Sequence, residues 1–228
     1  MITLEVCAAN LASVQAAKQG GAQRFELCTQ LEVDGLTPPE WLMRQARQVA
    51  GLRMHVLVRP RAGNFVYTAS ETAEMIRSIR LAREVGADGV VIGALTPCGD
   101  IDLATCRLLM DAAQGLQVTF HRAFDACRDP FLALEQIVGL GCHRLLTSGQ
   151  APTAQQGVET LRQLVARANG RMSIMPGAGV NAHNATQIVR QTGARELHGS
   201  FSTTLPDGSR QTNAAMVSEI TAALVGYE

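Results

Sequence analysis

The stretch Thr119-Phe120-His121-Arg122-Ala123-Phe124-Asp125 joins the end of one strand to the approach of a helix. Apolar and polar residues alternate over residues 116–121, which predicts a strand. Asp129 and Pro130 then supply an N-cap and a first helical residue. In α/β proteins, ligands bind where a strand ends before a helix. The stretch therefore predicts a βα unit with a candidate site at its junction.

The same βα unit recurs eight times along the chain. Strands are predicted at residues 3–7, 24–28, 54–59, 89–94, 116–121, 144–147, 172–175 and 196–200. Helices are predicted at residues 10–18, 38–49, 70–85, 103–113, 130–140, 153–168, 185–191 and 212–225. Alternating strands and helices give a parallel sheet, and the 228 residues suit a closed barrel of typically about 250 residues. We therefore predict an α/β fold, a single (β/α)8 TIM barrel over residues 1–228. A doubly wound open sheet is the alternative, but no Gly-x-Gly-x-x-Gly follows the first strand.

Composition excludes several classes of function. The net charge is zero, which argues against nucleic acid as a partner, and no apolar run reaches the roughly 18 residues that span a membrane. The N-terminal residues read directly as a strand, and the six cysteines contain no CxxC pair, so we expect a reduced, cytoplasmic protein. Lys18 is the only lysine and lies in a predicted helix, which argues against a Schiff-base aldolase.

Two cysteines end neighbouring predicted strands. Glu5-Val6-Cys7 and Glu26-Leu27-Cys28 repeat the same pattern, and residues two apart in a strand face the same side. Two thiols from adjacent strand ends suit Cu(I), a soft monovalent ion. The alternative is that both cysteines are small buried hydrophobes, as we expect for the other four cysteines.

Glu5 and Glu26 should point into the barrel, where buried carboxylates need partners. Arg59 and Arg61, at the end of the third strand, are the expected partners because arginine binds carboxylates bidentately. Two hypotheses remain open here. The charges form an ionic plug that fills the barrel, or Arg59, Arg61 and Arg122 hold an anionic substrate.

His121 and Asp125 are candidates for an acid–base pair, with Glu26 and Arg59 as further candidate catalytic residues. If the strand alternation continues, His121 and Asp125 share the interior face. We then expect that removing His121 changes stability little and impairs ligand binding or turnover. The alternative is a charged turn held by its own salt bridge.

Glycine-rich and small-residue turns follow the seventh and eighth strands, where many barrels bind phosphate. The candidate anion-binding residues are Arg61, Arg122, Gly177, Gly179, His198 and Ser200. The alternative is a tight turn that merely needs glycine. Neither His-x-His nor HExxH spacing occurs, so a zinc hydrolase is not supported.

The apolar cluster Trp41-Leu42-Met43 exceeds what one inward helix face needs, so we expect a homodimer or a higher homo-oligomer.

Together these motifs resemble the CutC family of copper-homeostasis proteins over nearly the whole chain. The segments that carry the resemblance are Glu5-Val-Cys7, residues 20–28, Gly35-Leu-Thr-Pro38, Val58-Arg-Pro-Arg61, Gly89-Val-Val-Ile-Gly93, residues 119–125, Leu146-Thr-Ser-Gly149, Gly177-Ala-Gly-Val180 and His198-Gly-Ser200.

The resemblance implies a cytosolic, oligomeric TIM barrel whose Cu(I) ligands are Cys7 and Cys28, with the copper ion as partner and no organic cofactor. Gln23 and Asn64 depart from the family pattern, which has aspartates there. The alternative is a TIM-barrel enzyme of unknown reaction that acts on a small anionic or phosphorylated metabolite and has no copper role.

Overall fold

The computed structural model describes residues 2–49, 51–206 and 208–227, and its central feature is a barrel of parallel strands. The strands are β1 (Thr3–Ala8), β2 (Arg24–Leu27), β3 (Arg53–Leu57), β4 (Gly89–Ile92), β5 (Gln117–Phe120), β6 (Arg144–Thr147), β7 (Ser173–Pro176) and β8 (Glu196–Gly199). Their order in the sheet is β7-β6-β5-β4-β3-β2-β1-β8, and the two edge strands contact each other. This nearly closed arrangement is the predicted TIM barrel.

Helices follow the strands and cover the outside of the sheet. They are α1 (Leu11–Gln19), α2 (Glu40–Arg47), α3 (Ala69–Val85), α4 (Leu103–Ala112), α5 (Pro130–Gly139), α6 (Val158–Ala168), α7 (Ala185–Thr192) and α8 (Ala214–Ala223). Short polar residues start several of them; Asn10, Thr68 and Asp129 each accept a hydrogen bond from a backbone N–H of the first turn. These caps satisfy backbone donors that would otherwise have no partner.

Some predicted boundaries are wrong for local reasons. Helix α2 begins at Glu40, two residues later than predicted, because Pro39 is extended and forms the N-cap. Helix α6 begins at Val158 and not at residue 153, with Gly157 as its N-cap. A Cβ on Gly157 would lie 1.9 Å from the carbonyl oxygen of Ser148, so this turn packs directly on the end of β6.

A short hairpin after β8 was not predicted. Strands β9 (Ser202–Thr204) and β10 (Arg210–Thr212) pair antiparallel where the prediction had a loop running into the last helix. Strands of three residues carry too little alternation to be recognised from sequence. The hairpin matters because Ser202 and Arg210 line the cavity described below.

The two faces of the sheet differ in chemistry, as the alternation predicted. Leu4 and Val6 belong to the large apolar core that also includes helix residues such as Leu42 and Met43. The other face encloses a polar barrel interior. A second, smaller buried cluster lies there near the carboxyl ends of the strands and contains Cys7, Cys28, Leu57 and Val91. The polar side chains that can form a site are therefore inside the barrel.

The helix α2 cluster is smaller than expected. Leu42 and Met43 are buried in the core, and only Trp41 is exposed, at 61% of its surface. The sequence argument for an oligomer counted all three residues, so its premise is wrong for two of them. Among the described residues, no helix is long and apolar enough to cross a bilayer.

Candidate functional site

An ionic network fills the amino-terminal half of the barrel interior. Arg24 forms close ion pairs with both Glu5 and Glu196, and Arg144 donates to Glu196 at 2.9 Å. Across the β1–β8 pair, Glu5 also bonds Nδ1 of His198 at 2.8 Å. Burial by itself would raise the pKa of Glu5, but Arg24 and His198 hold it well below its usual range. The carboxylate is therefore charged and compensated.

The predicted partners of these carboxylates were wrong. Arg59 donates to the backbone carbonyl oxygens of Val33, Gly35 and Gly63, at 2.6, 2.9 and 3.2 Å. Arg61 pairs with Glu71 on helix α3 and is absent from the cavity lining. Arg24 takes their place because it precedes Glu26 by two residues and so faces the same interior. The alternation that places Glu26 and Cys28 in the interior also reaches Arg24, two residues earlier, so Arg24 could have been predicted from the sequence.

The network also reaches His55, a residue of strand β3. Its Nδ1 lies 3.6 Å from Glu5, and the side chain is fully buried. Burial is the main reason that the pKa of His55 falls to about 4. The neutral ring lies beside the network, and neither ring nitrogen has a hydrogen-bond partner among the described residues.

Cys7 and Cys28 do come together. Their Sγ atoms are 3.5 Å apart, although the backbone partner of Cys7 across the β1–β2 ladder is Glu26. Cys28 is fully buried, whereas Cys7 is 9% exposed and lines the cavity. The hydrogen bond with Cys28 and then burial raise the pKa of the Cys7 thiol well above its usual range. In the absence of metal this thiol is protonated.

Glu26 and His198 meet Cys7 at the same place. One ligand-type atom from each of the three residues lies within 4.8 Å of the others, and Nε2 of His198 is 3.4 Å from Glu26. Burial would lower the pKa of His198, but Cys7, Glu5 and Glu26 raise it well above its usual value. Burial raises the pKa of Glu26. The three side chains therefore form a proton-sharing cluster that can also act as a metal-ligand set.

A cavity of about 530 Å³ opens above this cluster at the carboxyl ends of the strands. It reaches Cys7, Glu26 and His198 inside the barrel and is lined nearer its mouth by Arg59, His121 and Arg122. Gly179 and Ser200 also line it, whereas Gly177 does not; the Gly177 N–H donates to the carbonyl of Thr147 at 3.0 Å. The cavity size is typical of sites for small metabolites.

The predicted His121–Asp125 pair does not form. The chain leaves β5 and enters a 3-10 helix over Arg122–Ala126, so the strand alternation stops before Asp125. Asp125 pairs with Arg122 at 2.8 Å and accepts hydrogen bonds from residues 147, 148 and 150. Asp125 thus connects the segment after β5 to the end of β6 and the loop that follows it. It is absent from the cavity lining.

His121 instead caps that 3-10 helix. Its Nδ1 accepts the backbone N–H of Ala123 at 3.1 Å, and its Nε2 is buried with no partner among the described residues. Burial and then the nearby Arg59 charge lower the pKa of His121 to about 3. The ring is neutral at neutral pH, so it is unsuited to act as an acid–base group there.

The four remaining cysteines have separate environments. Cys106, Cys127 and Cys142 are buried away from the cavity, and Cys98 is exposed. None of the four contributes to the three-residue ligand cluster found in the described part of the chain. The burial of Cys106, Cys127 and Cys142 agrees with the structural role expected for them, whereas the expectation that Cys98 is buried is wrong.

Comparison with known proteins identifies close relatives. The family model of the CutC family matches residues 2–203. A protein named as family protein CutC from Glaesserella parasuis is 50% identical over 197 residues, covering 86% of this chain and 81% of the relative. One from Bacteroides fragilis is 45% identical over 225 residues, covering 98% of this chain and 90% of the relative.

Two solved structures resemble this chain, one in sequence and fold and one in fold alone. CutC from Streptococcus agalactiae, whose name assigns it to copper homeostasis, is 36% identical with a TM-score of 0.84, over 88% of this chain and 99% of its own. Thiamine phosphate pyrophosphorylase from Pyrococcus furiosus has a TM-score of 0.65 at 16% identity, covering 98% of this chain and 95% of its own, and shares the fold alone. The chain belongs to the CutC family.

Proposed function

We propose that this protein handles copper in the cytosol and binds one Cu(I) ion through Cys7 and Cys28. The observation that carries the proposal is the 3.5 Å approach of two unbridged thiols beside a cavity. Soft sulfur ligands favour Cu(I) over harder divalent ions. Two thiols this close stay reduced in the cytosol, whereas an oxidising compartment would favour their oxidation.

His198 is the available third ligand, because its ring lies against Cys7 and imidazole also binds copper. Glu26 is the third member of this cluster, but its carboxylate is a better ligand for harder ions than for Cu(I). The thiol of Cys7 is protonated in the metal-free state, and ligands must lose their protons to bind. Copper binding should therefore release protons and strengthen as pH rises.

The test is anaerobic competition for Cu(I) against a chromophoric chelator. The wild type should bind one equivalent, and the double variant Cys7→Ser, Cys28→Ser should bind at least about a hundredfold more weakly because both soft ligands are lost. Cys127→Ser removes a buried cysteine away from the cavity and should bind as the wild type does. A double variant that retains wild-type affinity would show that the dithiol site is wrong. If the wild type instead binds Zn²⁺ more tightly than Cu(I), the ligand set is Cys7, Glu26 and His198 and not the two thiols.

A second candidate function has its own observation. The cavity lies where TIM barrels bind substrates, and Arg59 brings to its lining a buried charge that no carboxylate of the described residues balances. This favours an enzyme that acts on a small anionic or phosphorylated metabolite without copper. Glu26, Arg59 and His121 line the cavity and would contact such a ligand. Asp125 would instead position the segment that follows His121, by bonding to Ser148 after β6.

Metabolite depletion from a cell extract tests this second function. The copper-free double variant Cys7→Ser, Cys28→Ser should still consume an anionic metabolite that the wild type consumes. If consumption of the metabolite depends on added copper, the enzyme is not independent of copper. If neither protein consumes any metabolite, the second function is contradicted.

A further inference from the structure

Arg59 carries a buried positive charge whose partners are all neutral. The side chain is 5% exposed and donates to three backbone carbonyl oxygens, while its Nε has no acceptor among the described residues. The other deeply buried arginines, Arg24 and Arg144, both pair with Glu196. Buried charges are normally balanced by an opposite charge. Arg59 has no ion pair among the described residues, so its charge is free to pair with a bound anion.

His121 contributes a second unused donor. Its Nδ1 accepts the Ala123 N–H, and a neutral imidazole carries one proton, so the proton is assigned to Nε2. That nitrogen is buried, and no acceptor for it exists among the described residues. Because burial and Arg59 lower the pKa of the ring to about 3, the Nε2–H tautomer persists at neutral pH. A histidine that is kept neutral can donate a hydrogen bond to a negatively charged oxygen.

The two donors belong to one wall of the cavity. The guanidinium of Arg59 lies 5.2 Å from the centre of the Phe65 ring, and the ring of His121 lies 5.1 Å from the same centre. All three side chains line the cavity. A Cβ on Gly93 would be 2.5 Å from Cε1 of His121, so the absence of a side chain on Gly93 leaves room for the ring. Poor access of water to this wall strengthens any hydrogen bond made there.

We propose that the cavity binds a small organic oxyanion, a carboxylate or a phosphate ester, whose oxygens pair with Arg59 and accept the Nε2–H hydrogen bond of His121. The inference rests on the second proposed function for the class of ligand, but it requires neither turnover nor copper. Glu26 lines the same cavity inside the barrel, so the far end of the ligand should be a hydroxyl and not a second anion. Asp34, the other carboxylate in the lining, is exposed to water.

The test is a nitrogen-15 NMR titration of metal-free protein with inorganic phosphate and, separately, with acetate. Side-chain resonances of histidine and of the arginine Nε–H groups report on the two donors directly. We expect His121 as the Nε2–H tautomer at pH 7 and a saturable shift of both the His121 and Arg59 resonances with at least one probe. The probe that acts distinguishes a phosphate ligand from a carboxylate ligand.

His121→Asn supplies the decisive variant. Asparagine is a good N-cap and can still accept the Ala123 N–H, but it does not place a donor where Nε2 lies. Binding of the active probe, followed on Arg59, should weaken about tenfold or more, as expected for a hydrogen bond to a charged oxygen. His143→Asn is the matched control, because Nδ1 of His143 also accepts a backbone N–H but the residue lies outside the cavity lining.

Unchanged probe affinity in His121→Asn, with saturable binding by the wild type, would overturn this inference and leave the second proposed function standing. No saturable response of the wild type to either probe would overturn both, while the copper proposal would be unaffected.

Discussion

Glu5 on the first strand of the barrel and His198 on the last bond to each other at 2.8 Å, across 193 positions of sequence. The contact joins the ionic network below to the cluster of Cys7, Glu26 and His198 above. One carboxylate thus has two roles, since it balances the Arg24 guanidinium and keeps His198 protonated. The amino-terminal half of the interior is therefore an ionic plug, and the carboxyl-terminal half is an open cavity.

Removing the charge of Glu5 should destabilise the fold. Glu5→Gln leaves the buried Arg24 with less compensation, so we expect a loss of about 3–5 kcal/mol in the free energy of unfolding. Urea denaturation at pH 7 measures it. Glu135→Gln breaks an exposed pair with Arg171 and should leave the midpoint almost unchanged. Similar midpoints for the two variants would show that the interior pair is not required for stability.

Acidification should reveal the buried neutral His121. Its pKa is about 3 in the folded chain and near 6.5 when unfolded, so between these values the unfolded state binds more protons. The stability is fully present above about pH 6.5 and is lost as pH falls, by about 1.4 kcal/mol per pH unit for this residue. His121→Asn should lack this loss. At pH 7 its stability should be close to that of the wild type, because no carboxylate of residues 2–49, 51–206 and 208–227 depends on His121 for a partner.

Urea denaturation of both proteins at pH 7 and pH 5 measures the difference. Parallel stability profiles would mean that His121 titrates normally in the folded state, which would also contradict its assignment as a persistent Nε2–H donor.

The His121 ring should need the room that Gly93 leaves by having no side chain. Gly93→Ala places a methyl group 2.5 Å from Cε1 of the ring, so we expect a cost of about 1–3 kcal/mol and a displaced histidine. Gly139→Ala is the control, because a Cβ there meets nothing within 4 Å and the residue ends helix α5. That variant should be neutral or more stable by up to about 1 kcal/mol. Equal stability of both variants would contradict the close approach.

Thiol reactivity should separate the cysteines by environment. Cys98 is exposed, whereas the other five cysteines are buried, and burial or hydrogen bonding raises the pKa of Cys7, Cys106, Cys127 and Cys142. A disulfide reagent should therefore react rapidly with one thiol per native chain, and Cys98→Ser should abolish that phase. A second rapid thiol that is protected by Cu(I) would show that Cys7 is more accessible than its 9% exposure indicates.

Strand alternation in the sequence was enough to predict much of the interior. Glu5, Cys7, Glu26 and Cys28 lie inside the barrel as expected, because each strand is short, regular and buried on both faces. The same reasoning failed at Asp125, since the backbone had already changed from strand to 3-10 helix. Alternation predicts a side chain's direction only while the strand lasts.

The sequence by itself determined the barrel, because eight βα units with alternating faces admit few other packings. Only the tertiary structure decided which charges pair. Arg24 meets Glu196 across 172 positions of sequence, and Arg59 is turned towards backbone carbonyls instead of Glu5 or Glu26. Such choices depend on the register of the strands around the barrel and on the loop that closes over each side chain. Neither is encoded in the pattern of any single strand, so the partners of a buried charge appear only when the barrel closes.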